Sequence, residues 1–94
     1  FAVDAVGTAM TLPSATIPNF STDTILVGIA GLDDVAASCS PPSGFTEIVD
    51  QTTIQASLAV AYKTVAANAT ESGHIFNFAA SDEKVAVAIV LTPA

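Results

Sequence analysis

Few residues of this 94-residue chain could do chemistry, and they are widely spaced in the sequence. The one histidine, His74, has Glu71 as its nearest carboxylate along the chain. A hydrolytic triad requires a nucleophile, a base and an orienting acid that converge in space, and no spacing here indicates such a set. We therefore expect His74 to lie on the surface, and we predict no catalytic residue and no enzymatic activity.

Two pairs of adjacent carboxylates, Asp33-Asp34 and Asp82-Glu83, are the candidates for a metal site. Calcium takes about six to eight oxygen ligands, usually from alternating positions of one loop, and neither pair has that spacing. Adjacent carboxylates are more typical of a solvated turn, which is how we interpret residues 81–84. The sequence thus predicts no bound metal and no cofactor.

The single cysteine and the aromatic residues also favour structural roles. Cys39 cannot form a disulfide within the chain, and two neighbouring serines and a proline predict a loop in which its thiol is unreactive. Phe45 and Tyr62 could stack on a sugar, but we favour packing in a core for both. Ile48, three residues after Phe45, is assigned to the same core.

Apolar residues recur with a period of two along most of the chain, and helical periodicity is nearly absent, which predicts strands. The segment 14–21 contains a proline and should be irregular, with Ile17 and Phe20 pointing inward. The break from 31 to 44 is long enough to carry contacts. The predicted strands are 8–12, 25–30, 45–50, 54–65, 75–78 and 85–91.

These short strands, joined by turns, predict an all-β fold: a single antiparallel β-sandwich of about seven strands, immunoglobulin-like or jelly-roll. One domain spans 1–94, with 1–7 as an extended N-terminal arm. Strands 25–30 and 85–91 are apolar on both faces and should be central. In 54–65 the larger side chains, Leu58, Val60 and Tyr62, are expected to point inward. The small or polar ones are expected outside: Ser57, Ala59, Ala61 and Lys63.

The composition is poor in charge and acidic. Asp, Glu, Lys and Arg make up 12% of the residues, against about 25% in an ordinary soluble domain. Nine acids and only two cations, Lys63 and Lys84, give a net charge of −7. Phosphate backbones and anionic lipids would be repelled, so we predict neither nucleic-acid nor membrane binding. A neutral Ala, Ser and Thr surface can instead be covered by a protein neighbour without burying ions.

The region from Pro41 to Lys63 resembles a group of small β-sandwich domains in structural proteins of tailed bacteriophages. Those domains have a proline-rich turn, a glycine, an aromatic residue and a threonine, followed by a strand of the form Leu-x-Val-x-Tyr-Lys. The matching residues are Pro41, Pro42, Gly44, Phe45, Thr46, Ile48, Leu58, Val60, Tyr62 and Lys63. Phe45 stands where tryptophan is usual, and Thr22 stands where a glycine is expected before Asp23.

The resemblance implies a structural virion protein of the capsid decoration, or cement, type, which binds and stabilises the outer surface of a phage head. Its expected partner is the major capsid protein, and its expected location is the outer capsid surface of the virion. We also expect a homo-oligomer, with a trimer among the candidates, because several weak contacts would then act together. The predicted partner contacts are Asp33, Asp34, Pro41, Pro42 and Ser43.

Two other functions fit the sequence. One is a carbohydrate-binding or adhesion module of a fibre or cell surface, using Phe45. The other is a subunit of an extracellular filament, in which residues 1–7 complete the sheet of the next subunit.

Overall fold

All the regular secondary structure in residues 1–18 and 24–92, which the computed structural model describes, is β-strand. Because two-residue bridges are included, the strands are more numerous than the sequence predicted. They are β1 (Ala2–Asp4), β2 (Ala9–Thr11), β3 (Ala15–Thr16), β4 (Thr24–Asp33), β5 (Cys39–Ser40), β6 (Thr46–Thr52), β7 (Ala56–Val65), β8 (Thr70–Glu71), β9 (Ile75–Phe78) and β10 (Lys84–Leu91).

Two antiparallel sheets form the layers of a β-sandwich, which confirms the predicted fold class. The large sheet has the order β1-β10-β4-β7-β6, and the smaller one has the order β2-β9-β5. A further two-stranded pair, β3-β8, lies beside them. Strands β4 and β10 are interior strands of the large sheet, as their two apolar faces predicted.

Small residues cover the inner face of the large sheet. The strand register places Gly28 between Ala61 and Ala88, and Ala30 between Ala59 and Ala86. Ala30, Ala59, Ala61 and Ala86 are almost completely buried. Side chains this small let the second layer approach closely, because little protrudes from this part of the large sheet into the core.

The second layer supplies the large side chains that fill this core. Met10 on β2 lies opposite Phe76 on β9, and both are buried together with Leu12 and Phe78. A Cβ atom added at Gly28 would lie 2.6 Å from Cδ1 of Leu12 and 3.0 Å from Cε2 of Phe76. The two sheets are therefore in direct contact at Gly28. Ile17 is buried in a second cluster, as predicted, whereas Phe20 lies outside the described residues.

The predicted orientation of β7 is wrong. Ser57, Ala59 and Ala61 face the core, whereas the three larger residues that we assigned to the core lie on the outer face. The reason is volume, since the aromatic and aliphatic side chains of β2 and β9 already fill the space between the layers. Ile48 is also outside, with 57% of its surface exposed, because β6 carries a bulge between Glu47 and Val49.

Three other local predictions need correction. The break after residue 30 is shorter than expected, because β4 continues to Asp33. Cys39 lies in β5, paired with Phe78, and not in a loop. Lys84 is not part of an exposed turn but is buried at the start of β10. At the N-terminus, residues 2–4 are extended as β1 and pair with β10 within the same chain.

The contact at Gly28 predicts a difference between two glycines on the same strand. Gly28→Ala forces Leu12 and Phe76 to move, and a net loss of about 1–2 kcal/mol should remain after the gain in chain entropy. Gly31→Ala is the matched control, because its added Cβ would lie 3.4 Å from Val85 Cγ1, an ordinary contact. Urea unfolding of both variants measures the effect, and equal stabilities would contradict the close approach.

Candidate functional site

The single histidine lies in a small cluster at the end of the sandwich where β7 leaves the sheet. His74 Nε2 lies 2.9 Å from Oε1 of Glu71, and Lys63 Nζ lies 3.1 Å from the same oxygen. The His74 ring meets Phe45 edge-on, with ring centroids 4.9 Å apart, and Lys63 Nζ lies 5.9 Å from the Phe45 centroid. His74 is thus half-buried, and the prediction of a surface residue is wrong.

The interactions of this cluster connect structural elements. The hydrogen bond from His74, with a smaller contribution from Lys63, lowers the pKa of the Glu71 carboxyl. Within 1–18 and 24–92, His74 forms no side-chain hydrogen bond other than that to Glu71. What the cluster does is tie β7 to the segment 71–74 and support the Phe45 ring.

The buried thiol of Cys39 is chemically quiet. Burial, followed by the charges of Asp50 and Glu47, raises its pKa to about 12. Because the thiolate is the reactive form, such a thiol is a poor nucleophile at neutral pH. The sequence-based expectation of an unreactive thiol is therefore supported by its surroundings, although not by a loop position.

The fold brings the two carboxylate pairs to the same end of the sandwich, but their side chains are not grouped around a common point. The backbone N–H of Asp33 donates to the Glu83 carbonyl at 2.9 Å, which joins the end of β4 to the turn before β10. In the described parts of the chain, no three acidic, histidine or cysteine side chains are grouped so that they could hold a metal ion. The pairs instead form an acidic end of the sandwich, defined here as Asp33, Asp34, Asp82 and Glu83.

The five predicted partner contacts fall in two separate places. Asp33 and Asp34 are exposed at the acidic end, where Asp33 pairs with Ala56 of β7. Residues 41–43 lead into β6, whose first residue pairs with Tyr62. Six residues of β7 separate the two places, about 20 Å at about 3.4 Å per residue. Within the turn, Pro42 is buried and only Ser43 is fully exposed.

The largest candidate site is the outer face of the large sheet, which the sequence analysis missed. Its apolar side chains come mainly from β4, β7 and β10, which contribute no charged side chain to it between Asp33 and the far ends of the strands. Strand β1 adds Val3, and β6 adds Val49 together with the polar Thr46 and Gln51. Many of its side chains are substantially exposed. We define the outer face as Val3, Ile25, Val27, Ile29, Gly31, Val49, Leu58, Val60, Tyr62, Val85, Val87, Ile89 and Leu91.

The apolar part of the outer face has the size of the apolar centre of a protein interface. Its three main strands, about 4.8 Å apart and about eight residues long, span about 14 Å by 27 Å, or about 400 Å². A standard protein–protein interface covers about 800 Å² on each partner. Scattered exposed aliphatic residues need no explanation, but an unbroken apolar patch of this size marks a contact surface.

A sequence signal for this face existed. In the middle of β4, β7 and β10 one alternating set consists of Gly and Ala (Gly28, Ala30, Ala59, Ala61, Ala86 and Ala88), while the other consists mostly of Val, Ile and Leu. The same division on three neighbouring strands indicates one closely packed side and one side with larger side chains. Hydropathy alone did not show which of the two was buried.

Phe45 and Tyr62 do not form a common surface. The Phe45 ring packs against both core clusters, whereas Tyr62 lies on the outer face. A sugar could therefore not stack on the two rings together.

Comparisons with known proteins found no relative of this chain. The sequence matches no protein-family model and no curated protein, and the fold matches no solved structure. The likeness to phage β-sandwich domains therefore stays a prediction. No helix among the described residues is long and apolar enough to cross a membrane.

The buried position of Lys84 predicts that its replacement lowers the stability of the fold more than replacement of Lys63. Only 2% of Lys84 is exposed, and its Nζ donates to the carbonyls of Val6 and Gly7 at 2.7 Å and of Asp82 at 2.9 Å. Lys84→Met leaves these carbonyls without their donor, for a loss of about 1–3 kcal/mol. Lys63→Met breaks a partly exposed ion pair and should cost less than about 1 kcal/mol. Chemical denaturation of both variants tests this order, which equal losses would refute.

The lowered pKa of Glu71 predicts a stability term that depends on pH. A carboxyl whose pKa is lower in the folded chain stabilises the fold above its ordinary value, 4.5, and loses this contribution as the pH falls through the folded value. The free-energy difference between the wild type and Glu71→Gln should therefore shrink from pH 6 to pH 3. Urea titrations at each pH measure it, with Glu47→Gln as the control for net charge. A difference independent of pH would show that the ion pair is not formed.

Proposed function

We propose that this chain is a structural virion protein, a capsid decoration protein that binds the outer surface of a phage head and stabilises it. The observation that carries the proposal is the outer face, a contiguous apolar surface on a chain whose described residues contain no group of side chains that could hold a metal ion. The resemblance of Pro41 to Lys63 to phage β-sandwich domains supplies the biological setting.

The physical role of such a protein follows from mass action. A chain that binds the assembled shell, and not its separated subunits, shifts the equilibrium toward the shell. The apolar outer face supplies the driving force, because burying about 400 Å² of apolar surface removes it from water. The low charge content limits the number of ions that must lose their water on docking. A rigid two-layer sandwich is also pre-organised, so little conformational entropy is lost.

The oligomer predicted from the sequence is part of this proposal. The exposed edge of the large sheet, β6, is one surface through which copies could associate, although its bulge and the carboxylates Glu47 and Asp50 oppose simple strand addition. The major capsid protein is the proposed partner of the outer face.

Docking through the outer face predicts that a charge placed there abolishes particle binding. Ile89→Glu puts a carboxylate at a position that is 39% exposed, so the chain should still fold while the apolar contact is lost. Ile54→Glu is the matched control, because Ile54 is 85% exposed in the turn between β6 and β7 and lies off this face. Co-sedimentation with phage heads lacking the protein should retain wild type and Ile54→Glu and lose Ile89→Glu.

Shell stability provides the second measurement. Heads saturated with wild type should melt at a higher temperature in calorimetry than undecorated heads, and heads mixed with Ile89→Glu should melt like undecorated ones. A wild-type chain that neither sediments with the particles nor changes their melting would overturn the decoration role. Particle binding that Ile89→Glu retains would leave the role but exclude the outer face.

A further inference from the structure

A groove crosses the outer face at its acidic end, and a missing side chain creates it. Gly31 pairs with Val85 on one side and with Leu58 on the other. All three positions belong to the outer face, so the valine and leucine side chains stand on either side of a bare backbone. The resulting groove has a volume of about 510 Å³, and Val3 extends its apolar lining.

Two carboxylates lie at the mouth of this groove. Asp33 and Glu83 both line it, and the hydrogen bond between their backbones holds the two segments together. Neither side chain forms an ion pair. The groove thus combines an apolar floor with a net negative end, since two carboxylates and one ammonium, that of Lys84, line it. A long side chain with a methylene stem and a cationic head, as in lysine or arginine, has the matching chemistry.

The chain has no lysine or arginine free to supply that head. Lys63 is bound to Glu71, and it lies at the opposite end of β7. Lys84 also lines the groove, but its ammonium group is buried against three carbonyl oxygens. These two are the only lysine or arginine residues in the sequence. A second copy of the chain would therefore bring more carboxylates to the groove and no cation.

The rest of the surface has the same sign. The other described carboxylates that form no ion pair are Asp4, Asp34, Glu47, Asp50 and Asp82. With a net charge of −7, the chain attracts basic surfaces over long distances and repels its own copies.

From this complementarity we propose that the outer face docks on a basic protein surface that inserts a lysine or arginine side chain into the groove at Gly31. The inference rests on the proposed docking role and specifies its partner: an apolar protein patch with a cationic side chain at one end, and not a second copy of this chain. The apolar area holds the partner, while the groove sets its orientation, since only one end of the face has the carboxylates.

The groove can be tested on the isolated protein with two small probes. Hexylammonium has the stem and charge of a lysine side chain, and hexanoate has a similar stem with the opposite charge. In titrations followed by ¹⁵N–¹H NMR, hexylammonium should shift the amide signals of Gly31, Leu58 and Val85 in a saturable way. Hexanoate should not. Equal shifts from both probes, or no localised shift from either, would overturn the proposal.

Paired charge variants separate the groove from the overall charge. Asp33→Asn with Glu83→Gln removes both carboxylates of the groove and should weaken hexylammonium binding by about 3- to 10-fold, as expected for two partly exposed ion pairs. Asp34→Asn with Glu47→Gln makes the same change in net charge at two residues that do not line the groove. Asparagine tolerates the positive φ of 54° at position 34. This control pair should bind like wild type, and equal weakening in both pairs would reduce the effect to net charge.

Sedimentation velocity of the same samples tests the competing occupant. A dimer at micromolar concentration that Ile89→Glu dissociates would show that a second copy covers the face, and it would overturn the proposal. These measurements need no phage particle. The proposal for the groove can therefore be refuted while particle binding is observed. Conversely, particle binding can be absent while the groove binds hexylammonium.

Discussion

The close contact between the two sheets at Gly28 is the constraint on which the rest of this structure depends. Leu12 and Phe76 occupy the space that a side chain at Gly28 would need. Around this point the large sheet offers only small residues, and the second layer fills the volume with Met10 and Phe78. Because a packed interior has a limited volume, the larger aliphatic residues in the middle of β4, β7 and β10 lie on the other side, and Leu26 and Leu32 are buried only toward the ends of β4.

The outer face is thus a consequence of how the core is filled. A large sheet that buries small residues at its centre and exposes larger ones on its outer side gives up part of the hydrophobic stabilisation that folding alone could provide. That surface becomes useful when a partner covers it. Neither cation can reach out to a partner, since Lys63 is bound to Glu71 and Lys84 is bound to the carbonyls of Val6 and Gly7. An apolar surface on a chain with no free lysine or arginine favours a partner of opposite charge.

Chemistry-bearing residues have structural tasks in this fold. His74, Glu71 and Lys63 brace the Phe45 ring, which bridges the two core clusters. Cys39 pairs with Phe78 at the edge of the smaller sheet, and its backbone N–H donates to Asp50. Each group is used to connect elements that are distant in sequence. In a small domain the buried fraction of the surface is modest. Polar interactions between distant elements therefore add to the stability that a limited core provides.

The sequence by itself determined the fold class, most strand positions and the two-sided apolar character of β4 and β10, because period-two alternation is a local property of the backbone. It did not decide which alternating set of β7 lies inside, since Leu58 and Ala59 can both be buried and only the volume left by the opposite sheet selects between them. The burial of Lys84 depended on carbonyls almost eighty residues away. The groove at Gly31 required the register of three strands, so only the tertiary structure could place it beside Asp33 and Glu83.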